Sequence, residues 1–262
     1  MKRIFFFLLI ATCIGTASAQ SYSDAFGEAF NRDDISAQRE ALTLWQQEAP
    51  NDVNLYIARY NFYANMAMRE APDKVVEALA DSGLVAIDEG IAQYPDRLDL
   101  RFGKIYFLGE LGRWDSFVDE LSSTLDHSVQ IDHRWDYPNV PDDMMEDFLM
   151  EGLSDHMVEM YMKITDTARL AAADSLMARR IQKVAKRAVQ LFPSHFPSTY
   201  MLALSHLLLN ENDKAYKYLR RAEGIDNTNV YLLQTLVKVC RLIGKAAQAT
   251  EYQHRLESLS SD

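Results

Sequence analysis

Apolar residues recur every three or four positions over most of the chain, and this spacing predicts amphipathic α-helices. Glycine and proline are sparse and lie where the apolar pattern is interrupted, while the two-residue alternation of β-strands is hard to find. The pattern therefore predicts an all-α protein. The clearest helices are predicted at about 53–68, 98–111, 143–164, 167–191, 198–209, 213–224 and 230–243, with one more that carries Ala249, Tyr252 and Leu256.

The C-terminal end of the chain repeats itself after 34 residues. A fixed period of this length is typical of helix–turn–helix repeats, which bury their apolar faces only by stacking on neighbouring repeats. Pro193 precedes Asn227 by the same interval. The echoed pairs are Leu202 and Leu236, Leu208 and Leu242, Ala215 and Ala249, Tyr218 and Tyr252, Arg221 and Arg255, and Glu223 and Glu257.

These residues resemble the tetratricopeptide repeat family. The helix–turn–helix junction of that family is matched at Gly112 and Trp114, and its helix-ending proline at Pro50, Pro95 and Pro193. The resemblance extends over about 24–259 and is poor between 126 and 174. It implies a right-handed α-solenoid of antiparallel helix pairs that scaffolds protein assemblies and performs no chemistry of its own.

The repeat pattern divides the chain into regions. Residues 20–125 form N-terminal repeats, in which 24–49 is an incomplete capping repeat and 52–95 is lengthened by the insert 70–73. Residues 126–141 lack a helical pattern and are predicted to be an irregular aromatic loop, and a loop of this length in a compact solenoid is often functional. An enlarged atypical helical repeat at 142–193 and C-terminal repeats at 194–262 follow.

Residues 1–19 have the pattern of a cleaved signal peptide. Lys2 and Arg3 precede the apolar run 4–10, and Ala17-Ser18-Ala19 precedes Gln20 as a small-residue cleavage site. The mature protein is therefore expected to lie outside the cytoplasm, in the periplasm or secreted. A lipid anchor at Cys13 is the alternative. No other apolar stretch approaches the roughly 20 residues that a membrane span needs, so no transmembrane span is expected.

The chain is acidic, with 27 basic and 38 acidic residues and a formal net charge of −11. A phosphate-binding surface requires the opposite sign, so a nucleic-acid partner is not expected, and a basic or neutral partner fits better. After cleavage Cys240 is the one cysteine, which excludes an internal disulfide and a thiolate metal cluster. The six histidines show no metal-ligand spacing, and catalytic and cofactor motifs are absent. We expect no metal or cofactor.

The crowded methionines of the middle segment follow helical spacing together with other apolar residues, which favours core packing over a copper site. They are Met144, Met145, Met150, Met157, Met160 and Met162.

Candidate partner-binding residues follow from the resemblance, which implies that the first helix of each pair lines a concave binding face. Asn54, Asn61 and Asn65 are spaced to share one helical face, and their amides can hold the backbone of an extended peptide. A merely solvated polar stripe is the alternative. Phe102 and Tyr106 share a face of the helix at 98–111 and predict an aromatic groove for a partner helix or strand.

In the helix predicted at 230–243, which is the first helix of the last pair, Gln234, Lys238 and Arg241 lie on roughly one face. Some members of the family bind a terminal carboxylate with basic and amide residues on successive first helices. Here Lys238 and Arg241 stand in one repeat only, so such a clamp is not supported.

The loop residues Trp135 and Tyr137 are a further candidate. Their rings can bury much area at little entropic cost, which suits a recognition tip. Alternatively, they fold back and fill the position where the repeat period breaks.

The sequence thus predicts a non-enzymatic extracytoplasmic scaffold that binds a protein or peptide partner on its concave face. The alternative is an envelope enzyme or enzyme subunit that acts on a glycan or cell-wall substrate through the atypical middle segment. Self-association through an end of the solenoid is a third hypothesis.

Overall fold

The structure is a computed structural model that describes residues 17–69, 75–164 and 172–259. Within these ranges the regular structure is helical, and most helices pack with a chain neighbour as an antiparallel pair, so the predicted all-α architecture of helix pairs is confirmed. The helices are α1 (Ala17–Asn31), α2 (Ile35–Glu48), α3 (Val53–Met68), α4 (Glu77–Gln93), α5 (Leu98–Glu110), α6 (Trp114–Gln130), α7 (Met145–Met162), α8 (Ala172–Leu191), α9 (Phe196–Leu208), α10 (Asn212–Glu223), α11 (Val230–Leu242) and α12 (Ala246–Leu259), with a 3-10 turn at Asp142–Met144 before α7.

Several predicted segments fall partly or wholly outside the described residues. They are most of the signal peptide 1–19 including Cys13, the insert 70–73, and the first residues of the helix predicted from 167.

The helices form two compact units. The N-terminal unit contains α1 to α5 together with residues 134–140, and the C-terminal unit contains α6 to α12. The predicted N-terminal repeat region 20–125 is therefore divided after Arg113, because α5 packs against α4, whereas α6 packs against α8.

The turns that follow α1, α5, α9 and α11 share one geometry. In each turn the key residue has a left-handed backbone, and the next residue donates its N–H to the carbonyl five positions earlier, at 2.8–2.9 Å. This bond satisfies a carbonyl that the helix end would otherwise leave unpaired. The left-handed residues are Asp33 (φ 56°), Gly112 (φ 67°), Asn210 (φ 58°) and Gly244 (φ 75°).

The 34-residue echo corresponds to repeated contacts. The Arg221 guanidinium donates to the Pro193 carbonyl at 3.1 Å, and Arg255 donates to the Asn227 carbonyl at 2.8 Å. Both bonds join the second helix of a pair to the residues that precede its first helix, and both span 28 residues. The register predicted for the last two pairs is therefore confirmed.

Each unit has its own apolar core. In the N-terminal unit one cluster centres on Phe26, Trp45 and Phe62, and a second on Tyr60 and Phe107. The Tyr60 and Phe107 rings meet edge to face with centroids 5.5 Å apart, and the Tyr60 hydroxyl donates to the Gly103 carbonyl at 3.1 Å, which ties α3 to α5. In the C-terminal unit, a cluster from α9 to α12 buries Leu232, Leu236, Ala249 and Tyr252 among others.

The middle of the chain departs from the sequence prediction in one respect. Helix α6 continues to Gln130, so the irregular segment predicted from Asp126 begins only after that residue. The apolar residues Leu121 and Leu125 are buried on its inner face, which explains why the helix persists.

Helix α6 is joined to α8 by a ladder of three ion pairs. Both helices run in the same direction, because the partners advance together along the chain. The pairs are Asp115–Arg180 (2.8 Å), Asp119–Lys183 (2.6 Å) and Asp126–Arg187 (2.5 Å). The guanidinium of Arg180 also lowers the pKa of the Asp115 carboxyl below its ordinary value.

Most methionines of the middle segment lie on the buried side of α7, as their spacing predicts. Met145, Met150, Met157 and Met160 are buried, and only Met144 and Met162 of the set are exposed.

Candidate functional site

The aromatic residues predicted on α5 lie where a partner could reach them. Phe102 and Tyr106 are one helical turn apart, and both are half-buried. Their neighbours Ile105 and Phe107 point into the core of the N-terminal unit, which fixes the orientation of the helix. Part of each of the two rings is therefore exposed to solvent on this face of α5.

Residues 134–140 are docked against the start of α5. The Asp136 N–H donates to the Asp96 carbonyl at 2.8 Å, and the Leu98 N–H donates to the Asp136 carbonyl at 3.2 Å. The buried Arg97 side chain donates to both carboxylate oxygens of Asp99, at 3.0 and 2.5 Å, and lies 3.7 Å from the Asp136 carboxylate. Backbone and charge together hold the loop in one place.

This docking decides between the two interpretations of the loop aromatics. Trp135 is only 4% exposed, and the Arg101 guanidinium lies 5.5 Å from its ring centroid. Trp135 is therefore packed inside the unit and is not an exposed recognition tip, which corrects its assignment as a partner-binding residue. Its burial comes from a tertiary contact that the local sequence pattern does not encode.

Tyr137 is placed differently from Trp135. It is half-buried, and its ring meets Phe102 at a centroid distance of 6.5 Å and an interplanar angle of 67°. Burial raises the pKa of the Tyr137 hydroxyl, and the Asp99 carboxylate raises it further. Two candidates from separate segments thus form one surface. We call Phe102, Tyr106 and Tyr137 the aromatic surface.

The asparagines of α3 are largely enclosed. Asn54 is 8% and Asn61 7% exposed, and only Asn65 retains partial exposure. The prediction of a peptide-binding amide stripe therefore does not hold for Asn54 and Asn61. Their spacing does place them on one side of the helix, but α3 is packed by α1, α2, α4 and, through Tyr60, by α5, so that side is covered.

The polar residues predicted on α11 are exposed. Gln234, Lys238 and Arg241 all face solvent, and Tyr231 on the same side is 70% exposed. The Tyr200 hydroxyl hydrogen-bonds the Thr235 hydroxyl at 2.8 Å, which joins α9 to α11 beside this face. The α11 face belongs to the C-terminal unit, whereas the aromatic surface belongs to the N-terminal unit.

A groove of about 700 Å³ opens between α2, α3 and the start of α4. The sequence gives no sign of this groove, because its residues lie on different helices and no single helix shows an unusual pattern. Its floor is apolar and its rim is polar. We call it the α2–α3 groove, and its lining residues are Arg39, Leu42, Thr43, Gln46, Gln47, Arg59, Phe62, Tyr63, Met66 and Leu79.

The charges of the groove are unusual for this chain. Among the described residues that line it, two are arginines and none carries a carboxylate, although acidic residues outnumber basic ones, 38 to 27, in the whole sequence. Arg59 is paired with Glu89 at 2.7 Å. The Arg39 guanidinium lies 5.8 Å from the Phe62 ring centroid and makes no ion pair within the described part of the chain.

The chemistry of the remaining groups is limited. Across the described ranges, no three His, Cys, Asp or Glu side chains come together in a way that could hold a metal ion. The Cys240 thiol is buried, and burial raises its pKa, which keeps it in the unreactive protonated form. None of the helices in the described residues has the length and apolar character needed to cross a membrane.

Comparison with known proteins yields structures only. No protein-family model and no curated protein matches the chain. Solved structures with similar helix arrangements include PilW, a type IV pilus biogenesis factor, with 14% identity, a TM-score of 0.42, and coverage of 93% of this chain and 94% of PilW. YrrB, a tetratricopeptide repeat (TPR) protein with an unusual peptide-binding site, shows 13% identity, a TM-score of 0.43, and coverage of 85% and 93%.

A TPR protein from Thermus thermophilus aligns with 14% identity and a TM-score of 0.39 over 78% of this chain and 92% of its own. YrrB and the Thermus thermophilus protein are TPR proteins, the family that the sequence resembles. At such TM-scores they carry no information on what this protein binds, and the fold described here is established by the helix pairs and turns above.

Proposed function

We propose that this protein is a non-enzymatic extracytoplasmic scaffold that holds a protein or peptide partner on the exposed sides of its first helices. The aromatic surface is the observation that carries the proposal. Its rings are half-buried at the surface of the N-terminal unit, and aromatic side chains of this kind dominate the binding energy of protein interfaces.

The aromatic surface is also rigid before a partner arrives. Tyr137 belongs to a loop that is fixed by two backbone hydrogen bonds to Asp96 and Leu98, and Phe102 belongs to a packed helix. A surface that is already ordered loses little conformational entropy on binding, so more of the contact energy appears as affinity. This favours recognition of a defined partner.

The α11 face supplies polar contacts in the C-terminal unit. Gln234 offers both a donor and an acceptor, and Lys238 and Arg241 offer charged donors, all three on exposed positions. We propose that this face offers hydrogen bonds and charge to a partner of the C-terminal unit. In the N-terminal unit, Asn65 offers hydrogen bonds and the aromatic surface offers most of the apolar contact. Lys238 and Arg241 would then influence the association rate and its salt dependence more than the affinity.

The proposed location outside the cytoplasm is supported by the leader pattern of residues 1–19. Cleavage after Ala19 would remove three residues of α1, yet the buried residues of that helix, Ser23, Phe26 and Ala29, remain in the mature chain. N-terminal sequencing of protein recovered from the producing cell tests this proposal. A mature chain that begins at Gln20 supports it, an acylated Cys13 supports a lipid anchor, and an intact Met1 contradicts both.

Photocrosslinking tests the binding role. A benzoylphenylalanine placed at Tyr106 is expected to crosslink one protein at stoichiometric yield, and Phe102→Ala with Tyr137→Ala in the same chain should abolish the crosslink. The same probe at Val85, an exposed position on α4, serves as the matched control and should not label that protein. Equal labelling from both positions would remove the aromatic surface as the binding site.

The enzyme alternative is tested in parallel. No contact among the described residues of 142–193 favours it over a scaffold, and turnover of a cell-wall glycan by the purified chain would establish it instead. Self-association is tested by measuring the mass of the chain in solution over a range of concentrations.

A further inference from the structure

We propose that the α2–α3 groove is a second binding site of the N-terminal unit, and that its occupant is an acidic amphipathic helix of a partner protein. The groove shares no residue with the aromatic surface, so this proposal goes beyond the scaffold function above and can fail independently of it.

The shape of the α2–α3 groove suits a helix. The lining residues of α2 follow one another at intervals of three and four over 39–47, and those of α3 do so over 59–66. Each stripe is therefore about two helical turns, or roughly 11–12 Å, long. Two antiparallel stripes of this length form a channel that suits a third helix, whose anchors at positions i, i+3 or i+4, and i+7 would face the floor.

The apolar and polar groups of the groove are arranged as in a protein interface. Its apolar lining residues, which we take as the floor, are Leu42, Phe62, Tyr63, Met66 and Leu79. The thioether of Met66 is adaptable, and the two rings offer large contact areas. Exposed amides and a hydroxyl surround them on the α2 side. A polar rim around an apolar centre is the usual anatomy of a protein interface.

The charges of the rim favour an acidic occupant. Among the described residues that line the groove, two are cations and none is a carboxylate. Arg59 is occupied by Glu89, whereas Arg39 has only the Phe62 ring beneath it in the described residues. A guanidinium in this position can stay on the ring and still bind a carboxylate with its outer N–H groups. An acidic residue beside the apolar anchors of the occupant satisfies that donor.

A displayed library of 16-residue helical peptides tests the proposal. It is selected on the purified full chain and counter-selected on a blocked variant, Arg39→Glu combined with Thr43→Glu, in which both changes lie on the exposed rim. We expect the enriched peptides to combine apolar residues at helical spacing with at least one Glu or Asp. Absence of enrichment, or enrichment of neutral or basic peptides, would overturn the proposal.

Fluorescence anisotropy with one enriched peptide then measures the charge contact. Replacing its acidic residue by lysine should weaken binding to the wild-type chain at least tenfold, and Arg39→Glu alone should reverse this preference. Reversal is a gain of binding, which an unfolded variant cannot produce. If the two peptides bind equally, or if Arg39→Glu changes neither, the charge contact does not exist.

Two matched controls locate the effect. Arg32 is an exposed arginine paired with Glu28, and Leu44 is an exposed leucine of α2, and neither lines the groove. Arg32→Glu and Leu44→Glu should leave peptide binding unchanged, as should Tyr106→Ala, which separates this site from the aromatic surface. A dimer of the chain that Arg39→Glu dissociates would assign the groove to a second copy and overturn the proposal.

Discussion

The last two helix pairs and the region around α5 are held together by different kinds of contact. In α9–α12 the same residue type makes the same bond in both pairs, since Arg221 and Arg255 each donate to a carbonyl 28 residues earlier. At α5 the contacts come from residues 134–140, a segment that has no counterpart in the C-terminal pairs. The last two helix pairs are therefore held by contacts that repeat. The region around α5 is held by one segment that is distant in sequence.

The comparison shows where a repeat protein acquires individual character. A repeated contact is the same in every copy and offers little to distinguish one member of a fold from another. The non-repeated loop brings Tyr137 beside Phe102 and so builds a surface that the repeat alone does not contain. The aromatic surface of the N-terminal unit therefore forms where the repeat pattern is interrupted.

The largest expected effect tests the non-repeated side of the comparison. Trp135→Ala removes a buried ring under Arg101 and leaves a cavity, so we expect a loss of about 3–5 kcal/mol in the free energy of unfolding. Chemical denaturation followed by circular dichroism measures it. Tyr231→Ala removes a ring that is 70% exposed and serves as the control. A change below about 1 kcal/mol for Trp135→Ala would mean that the loop does not depend on its tryptophan.

The next effect tests the repeated side. Ala215 is fully buried where α10 meets its neighbours. Ala215→Trp overpacks that contact and is expected to destabilise the protein by about 1–3 kcal/mol or more, with a lower Tm. Ala247→Trp places the same ring on an exposed position of α12 and should leave the Tm nearly unchanged. An unchanged Tm for Ala215→Trp would contradict the packing of the last repeats.

The smallest effect sharpens the comparison between the two C-terminal pairs themselves. His206 Nδ1 and Glu211 Oε2 lie 2.5 Å apart, whereas the positions 34 residues later hold Cys240 and Lys245 and make no such bond in the described residues. The hydrogen bond from His206, followed by that from Lys214, lowers the pKa of the Glu211 carboxyl. Because this folded-state pKa is depressed, Glu211 stabilises the protein above its ordinary pKa, and the contribution is lost as pH falls through the lowered value.

Thermal melts between pH 7 and pH 3 test this dependence. The Tm of the wild-type chain should exceed that of Glu211→Gln at neutral pH, and the two should converge toward the acidic end. Glu251→Gln, an exposed position on α12, provides the control for removing one carboxylate. A constant Tm difference at all pH values would show that the ionised form of Glu211 is not what stabilises the turn.

Much of the fold could be predicted from the sequence because helices are local structures. The bounds of α3, Val53–Met68, agree with the prediction, and the turns at Gly112, Asn210 and Gly244 lie where the pattern places them. The sequence predicts that this helix ends before Asp126, whereas α6 continues to Gln130. The burial of its inner residues is a tertiary property that the local pattern does not show. The chain gives no local signal that divides α5 from α6 between two units.

The candidate site was less predictable because exposure is a tertiary property. Equal spacing placed Asn54 and Asn61 on one side of α3 but did not reveal that other helices cover that side. Gln234, Lys238 and Arg241 are exposed, since α11 keeps one side open to solvent, and their role in binding stays a prediction. The α2–α3 groove could not be found at all, because a concave surface exists only after its helices have packed.

The ion-pair ladder of α6 and α8 affects how the protein's charge is presented to its surroundings. Helix α8 carries five basic residues, more than any other helix described in this acidic chain, yet Arg180, Lys183 and Arg187 are each neutralised in place by a carboxylate of α6. A polyanion approaching this helix would have to displace three aspartates to reach these three side chains, so the ion pairs weaken the positive field of α8 on the folded protein.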